Sequence, residues 1–353
     1  MSRGLAYWNS ERIRFIRENF VAVAVPTWVC REEGPEGEFL RGAGIEKHWV
    51  TSSGYKSCVS AGGKYLGGDP TEEVMEAFAA LPAGEREAGA VEVRDLRPEE
   101  VVIPAPPEEG MVLKVHARFL AKDGSGKLRH AGVEDFPAMR DDAEMAERWA
   151  QFLEPNTEYL WLTRGEVEGL VPAAVADSAE VGQKIAVDPA VAMRMARFHV
   201  NPKRATTSEG GAWSEKEVKE AALGLVVEEV TEGRIGMRVE GRVHWGTDYD
   251  AALATSPDGP LAMGYEAPIS GRLEYDRAEK KIVRFDMVAA GEVWGRWGDA
   301  NNKSMEIERP GRAPFGFAFE MAHGESPTER IPPGGNGKYV SEESRRYFPV
   351  VAE

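Results

Sequence analysis

From Arg234 to Trp245 the chain alternates without a break. Ile235, Met237, Val239, Gly241, Val243 and Trp245 occupy every second position, with Arg234, Gly236, Arg238, Glu240, Arg242 and His244 between them. A period of two sends successive side chains to opposite faces of a strand, so this segment has one apolar face and one charged face. A helix with a period of 3.6 would scatter the same apolar residues around its whole surface. The segment therefore requires a sheet with one buried side, and a sheet requires partners.

Several partners are legible. Met111, Leu113, Val115, Ala117 and Phe119 alternate with Val112, Lys114, His116 and Arg118, and the turn Asp123-Gly-Ser-Gly leads to a further strand at Leu128. Leu273 and Tyr275, a turn from Asp276 to Lys280, then Val283, Phe285, Met287 and Ala289 read as a hairpin. Phe315 to Met321 reads as a strand that closes the sheet, and Tyr159 to Leu162 as a short apolar one. Helices are expected after Asp141 or Asp142, with Met145, Trp149, Phe152 and Leu153 inward, and over 187–200, where Pro189 suits a first turn. Residues 111–325 are thus expected to form a mainly antiparallel β domain with inserted helices, and 326–353 an irregular tail.

The N-terminal part has a different rhythm. A helix capped by Asn9 or Ser10 carries Ile13, Ile16 and Phe20 on one face and runs into the apolar segment Phe20 to Val25, a strand buried on both sides. A short helical pattern at Glu38 to Leu40 follows, then a strand near Tyr55 to Ser60, a turn at Gly62-Gly63, a strand at Lys64 to Leu66 and a capped helix from Thr71 to Leu81. Residues 1–85 are expected to be a small α/β domain. The breakers that come next, including Pro98, Pro104, Pro106 and Pro107, make 86–110 a linker. The expected fold class is α+β.

Composition narrows the function classes. The chain has 353 residues, is 42% apolar and carries a formal charge of -16, which opposes a nucleic-acid partner. It has no apolar run long enough to span a membrane, and its first residues lack the core of a signal peptide, so a soluble cytoplasmic protein is expected. Two cysteines exclude a disulfide scaffold and leave one Cys30–Cys58 pair possible. There is no P-loop, dinucleotide fingerprint or Ser-His-Asp order, and no cofactor is expected.

Chemistry in this reading centres on Cys30. A cysteine just past a buried strand and before a helix can have its thiolate stabilised by backbone amides, which lowers its pKa. The strand Val21 to Val25, Trp28 two residues before Cys30, the hairpin at Gly62-Gly63 and the closing helix together resemble the thioredoxin-like superfamily. The order Trp28-Val29-Cys30-Arg31-Glu32-Glu33 lacks the second motif cysteine, so the resemblance implies single-cysteine chemistry. Thr27-Trp28-Val29-Cys30 is also similar to the Thr-x-x-Cys of peroxiredoxins, where threonine and cysteine bind a peroxide together. The implied activity is a thiol-dependent reductase or peroxidase acting on a small-molecule or protein thiol substrate. Cys30 is the nucleophile, Thr27 its orienting residue, Trp28 a substrate contact, and Cys58 either a resolving partner or simple core. The other reading is a non-catalytic binding or structural protein on a degenerate scaffold of the same kind.

A second candidate lies on the β-rich part. If their strands are neighbours, His116, Arg118, Arg238, Arg242 and His244 form a basic face able to hold a carboxylate or phosphate. The competing reading is a solvated face neutralised by Glu240 and Glu274. Asp248-Tyr249-Asp250 resembles a divalent-ion Asp-x-Asp pair but fits an ordinary turn. Trp294-Gly-Arg-Trp297 reads as an aromatic platform or a strand end. His48 with the cysteines has no metal-ligand spacing, so no metal is expected.

Overall fold

The computed structural model describes residues 10–21, 35–45, 57–68, 71–87, 89–90, 105–141, 143, 146, 153–202, 212–251, 263–295, 297–299, 302–307, 311–324, 327–333 and 347–348. Contacts divide the chain into two units, Met1–Glu100 and Val101–Glu353, a division that falls within the segment expected as a linker. Among the described residues no helix is long and apolar enough to cross a membrane.

In the first unit, helices Ser10–Asn19 and Pro35–Gly42 precede a short antiparallel pair, β1 (Cys58–Val59) and β2 (Tyr65–Gly67). The turn between them uses Gly63 at φ +81, a conformation glycine adopts without a side-chain clash. Glu85 fastens that turn: its carboxylate accepts the Ser60 hydroxyl at 2.6 Å and the Gly62 amide at 3.1 Å. Those bonds, Ser60 foremost, hold its pKa below the usual carboxylate range. Helix Glu72–Ala79 begins where Thr71 accepts the Val74 amide. Its Phe78 packs on Phe15 and Phe20, with ring centroids 5.4 and 5.2 Å away. Residues 22–25, the rest of the apolar run after Phe20, lie outside the described residues.

The second unit is built on one antiparallel sheet of nine strands. They are β3 (Met111–Lys122), β4 (Leu128–His130), β5 (Asn156–Leu162), β6 (Lys184–Ala186), β7 (Val218–Val230), β8 (Arg234–Gly246), β9 (Gly264–Asp276), β10 (Lys281–Trp294) and, beyond a separate pair β11 (Trp297–Asp299) and β12 (Asn302–Ile307), β13 (Ala313–Met321). The order across the sheet is β4-β3-β13-β10-β9-β8-β7-β6, with β5 pairing the edge of β3 that β13 leaves open. The alternation read at β3, β8, β9, β10 and β13 is thus the alternation of one buried face. The coarse class, α+β with a large antiparallel sheet, is as the pattern requires.

Register carries one apolar face across five strands. Trp245 stands beside Tyr265, Tyr265 beside Val293, Gly291 beside Phe315, and Phe315 beside Phe119. Helices Arg164–Leu170, Ala173–Ser178 and Pro189–Arg194 contribute Leu170, Val175 and Val191 to the same core, with Phe136, Trp213 and Tyr347. Two features differ from the sequence reading. β13 does not close the sheet but lies inside it, between β10 and β3, because Phe315, Phe317 and Phe319 need buried neighbours on both sides. Nor is the stretch after 326 wholly irregular: Pro327–Arg330 forms a 3-10 turn and Tyr347 is 2% exposed in the core.

The centre of the sheet contains Pro268, which has no amide to donate. The β9–β10 pairing steps across it, from Ala289 opposite Ile269 to Glu292 opposite Glu266. There the fully buried Tyr265 hydroxyl donates to the Ala289 carbonyl at 2.9 Å, with the Phe315 carbonyl at 3.3 Å. Gly291 makes the approach possible. A Cβ on it would lie 1.9 Å from the Glu266 carbonyl and 2.5 Å from Ala267 Cβ. Gly291→Ala is therefore expected to cost about 1–3 kcal/mol and lower Tm by several degrees. Gly124→Ala, in a turn with nothing within 4 Å of the added atom, serves as the control. A Gly291→Ala protein melting with the wild type would contradict the packing described.

Candidate functional site

At the end of the sheet where β9 turns into β10 the structure holds a cavity of about 1020 Å³. Four pieces of chain shape it. The hairpin turn is set by Asp276, whose Oδ1 accepts the amides of Ala278 and Glu279 at 2.9 Å each, and by Lys280 at φ +51. Helix Arg164–Leu170 starts from a capping box in which Thr163 accepts the Glu166 amide and Glu166 accepts that of Thr163. Helix Ala173–Ser178 follows directly after Pro172. The fourth piece is the start of β3 together with Met321, Ala322, Gly324, Glu329 and Arg330.

Met111, Val167, Val171, Tyr275, Ile282 and Met321 supply apolar wall. Charged side chains surround it. Arg164 is engaged by Glu109 and Glu168, and Glu329 accepts the Gly324 amide at 2.6 Å and lies 3.4 Å from Lys114. Arg277 ties three pieces together, its amide bound to the Gly233 carbonyl at 2.9 Å and its guanidinium donating to the carbonyls of Thr231 at 3.1 Å and Asp177 at 3.2 Å. Burial, and next the nearby carboxylates of Asp177 and Asp276, push the Tyr275 phenol up, so it stays protonated as a donor. Among the described residues the lining contains no cysteine, serine or histidine.

The residues singled out from sequence lie elsewhere. Cys30, Thr27, Trp28 and His48 are outside the described residues. Cys58 sits in β1, 8% exposed, in the first unit. His116, Arg118, Arg238, Arg242 and His244 do point to one face, opposite the core, but their strands are not neighbours: β13, β10 and β9 separate β3 from β8. Four strand spacings put the two groups about 19 Å apart. The single basic face that depended on their adjacency therefore does not form.

Carboxylates answer these charges instead. Arg238 is held by Glu228 at 2.8 Å and by Glu240, while Arg242 meets Glu220 at 3.2 Å and Glu266 at 3.3 Å. His116 bonds to the Thr157 hydroxyl at 2.9 Å, and His244 Nε2 is 3.7 Å from Asp248. Solvent screens such exposed pairs, so they set the character of this face more than the stability of the sheet.

The opposite end of the sheet gathers other residues noted in the sequence. Arg312 stacks on Trp294 at 4.9 Å and Tyr249 at 5.7 Å, and binds Glu292 at 2.8 Å and Glu266. That contact, ahead of the other neighbouring charges, holds the Glu266 carboxyl below its usual range. Trp294 is 3% exposed, a packed side chain and not an open platform. Asp248 is bound by Lys219 at 2.7 Å. Among the described residues no group of three or more His, Cys, Asp or Glu is placed to hold a metal ion.

A buried polar network is the feature that sequence reasoning missed. Helix Pro189–Arg194 continues into a π-helical turn, Met195–His199, which carries His199 inward. Tyr347 accepts the Trp161 amide at 3.1 Å and bonds to His199 Nε2 at 2.7 Å, while Glu158 lies 3.8 Å from His199 Nδ1. Arg194 makes a bidentate pair with Glu166 at 2.6 and 2.7 Å and lies 5.0 Å from the rings of both Tyr347 and Phe348. The helix expected over 187–200 contains His199, but nothing in the sequence brings it to Tyr347.

Burial, the largest cause, raises the phenol pKa of Tyr347, and burial does the same for Tyr265. A raised folded-state pKa contributes stability that is fully present below the unfolded value of about 10 and is lost as pH climbs above it. Chemical denaturation is thus expected to show stability falling from about pH 10 upward. Tyr347→Phe should cost about 1–3 kcal/mol at neutral pH, because the Trp161 amide loses its acceptor. Flat stability to pH 11, or an unchanged Tyr347→Phe protein, would contradict the buried placement.

Compared with family models, with curated proteins and with solved structures, the chain has no match. The functional reading accordingly rests on the geometry above.

Proposed function

We propose that Val101–Glu353 is a ligand-binding unit that takes a small molecule into the cavity at the β9–β10 end of its sheet. The observation that carries this reading is a cavity of about 1020 Å³ with apolar walls and a charged rim, formed by pieces of chain that are each separately anchored. Small-molecule sites are clefts of roughly 300–1,000 Å³, mostly apolar, with a few polar groups that orient the ligand. The apolar wall and the charged rim are what support binding as the role of this unit. The thiol-redox reading turns on Cys30, outside the described residues, so nothing in the cavity speaks for it.

Filling the cavity tests the proposal. Ala176 is half-buried on helix Ala173–Ser178 and lines the space. The neutral dye Nile red is expected to bind the wild type with a blue-shifted emission. Ala176→Trp should weaken that binding on the order of tenfold, equivalent to about 1.4 kcal/mol, with Tm little changed. No binding to the wild type, or equal binding to a folded Ala176→Trp protein, would overturn the reading.

A further inference from the structure

The cations around the cavity differ in whether a carboxylate meets them, and this deepens the ligand-binding reading on which it rests. Two of the lining carboxylates, Glu109 and Glu168, are taken by Arg164. A third, Glu329, is taken by Lys114 and the Gly324 amide. Lys281 pairs with Glu279. That leaves Arg277, whose guanidinium meets only the neutral carbonyls of Thr231 and Asp177, together with Lys280 and Arg330, for which no carboxylate partner occurs among the described residues. Among the described residues the lining thus holds five cations and four carboxylates, Glu109 and Glu168 sharing the one Arg164, and its cations without a carboxylate partner are Arg277, Lys280 and Arg330.

A positive surplus is unexpected on a chain whose formal charge is -16. Random placement of charge on such a surface would leave carboxylates in excess. Lys280 is held in the left-handed region by a turn that Asp276 fixes, and Arg277 is tethered on both sides, so two of the three cations have settled backbone positions. Val167, Val171, Ile282 and Met321 offer hydrocarbon contact close by, and Tyr275 adds a hydrogen-bond donor. A wholly apolar ligand would leave the cations unanswered. A polyanion such as nucleic acid would be repelled by the rest of the chain.

We infer that the cavity selects an amphipathic anion, a molecule with an apolar body against Val167, Val171, Ile282 and Met321 and a single anionic head at Arg277, Lys280 and Arg330. The recognition is charge complementarity at the rim combined with apolar burial at the wall.

Three probes with the same twelve-carbon body separate the terms when titrated below their micellar concentrations: dodecanoate, dodecanol and dodecyltrimethylammonium. Dodecanoate is expected to bind tightest and to weaken as salt is raised. The exposed pair Lys280→Glu and Arg330→Glu, combined, should reduce dodecanoate affinity by about tenfold or more and leave dodecanol unchanged. Equal binding of the three probes, or dodecanoate binding indifferent to the double variant, would overturn the anion inference while the cavity reading stands. Failure of all three probes to bind would overturn the cavity reading and the inference with it.

Discussion

The pairing of β13 with β3 is the constraint on which the second unit depends. Its register puts Phe315, Phe317 and Phe319 beside Phe119, Ala117 and Val115, joining segments about 200 residues apart in the chain. A slip of one residue would send the three phenylalanines to the charged face and bring Gly316, Ala318 and Glu320 into the core. Burying three aromatic side chains at roughly 25 cal/mol per Å² of apolar area far outweighs any ion pair on the outer face. The apolar face selects the register, and the salt-bridged face conforms to it.

That register also locates the cavity. With β3 and β13 aligned, the start of β3 and the end of β13 arrive at the end where β9 turns into β10. The helices after Thr163 cover the core there, and their short connection through Pro172 leaves space between helix and hairpin. The opposite end is tied by Arg312, Glu266, Glu292 and Trp294, and the C-terminal Tyr347 is anchored at Trp161 and His199. One end of the sheet is thus held by charged and aromatic contacts, and the other leaves a cavity between hairpin and helices.

Much of the sheet was legible in the sequence because a strand buried on one side writes its face at every second residue. β3, β8, β9, β10 and β13 all announce themselves in that way. β7 does not. Its Val and Leu residues do not fall at every second position, and irregularities between Val218 and Glu220 and between Val227 and Glu229 break the period of two. Alternation also states a face and never a neighbour. His116 and His244 were therefore readable as residues of the polar face, while the three strands between them were not. The cavity residues had no motif at all, since Arg277, Lys280 and Arg330 stand in turns and come to line one cavity only through the fold. Cys30, on which the thioredoxin-like reading turned, lies outside the described residues, and Cys58 is buried in the first unit.

Central to the proposal is a ligand at the β9–β10 end of the sheet. Hydrogen–deuterium exchange of the full chain, with and without saturating dodecanoate, addresses that directly. The account predicts slowed exchange over residues 164–178 and 275–282, with the segment 244–249 and Trp294 unaffected. Protection confined to the Trp294 end, or spread evenly over the chain, would contradict it.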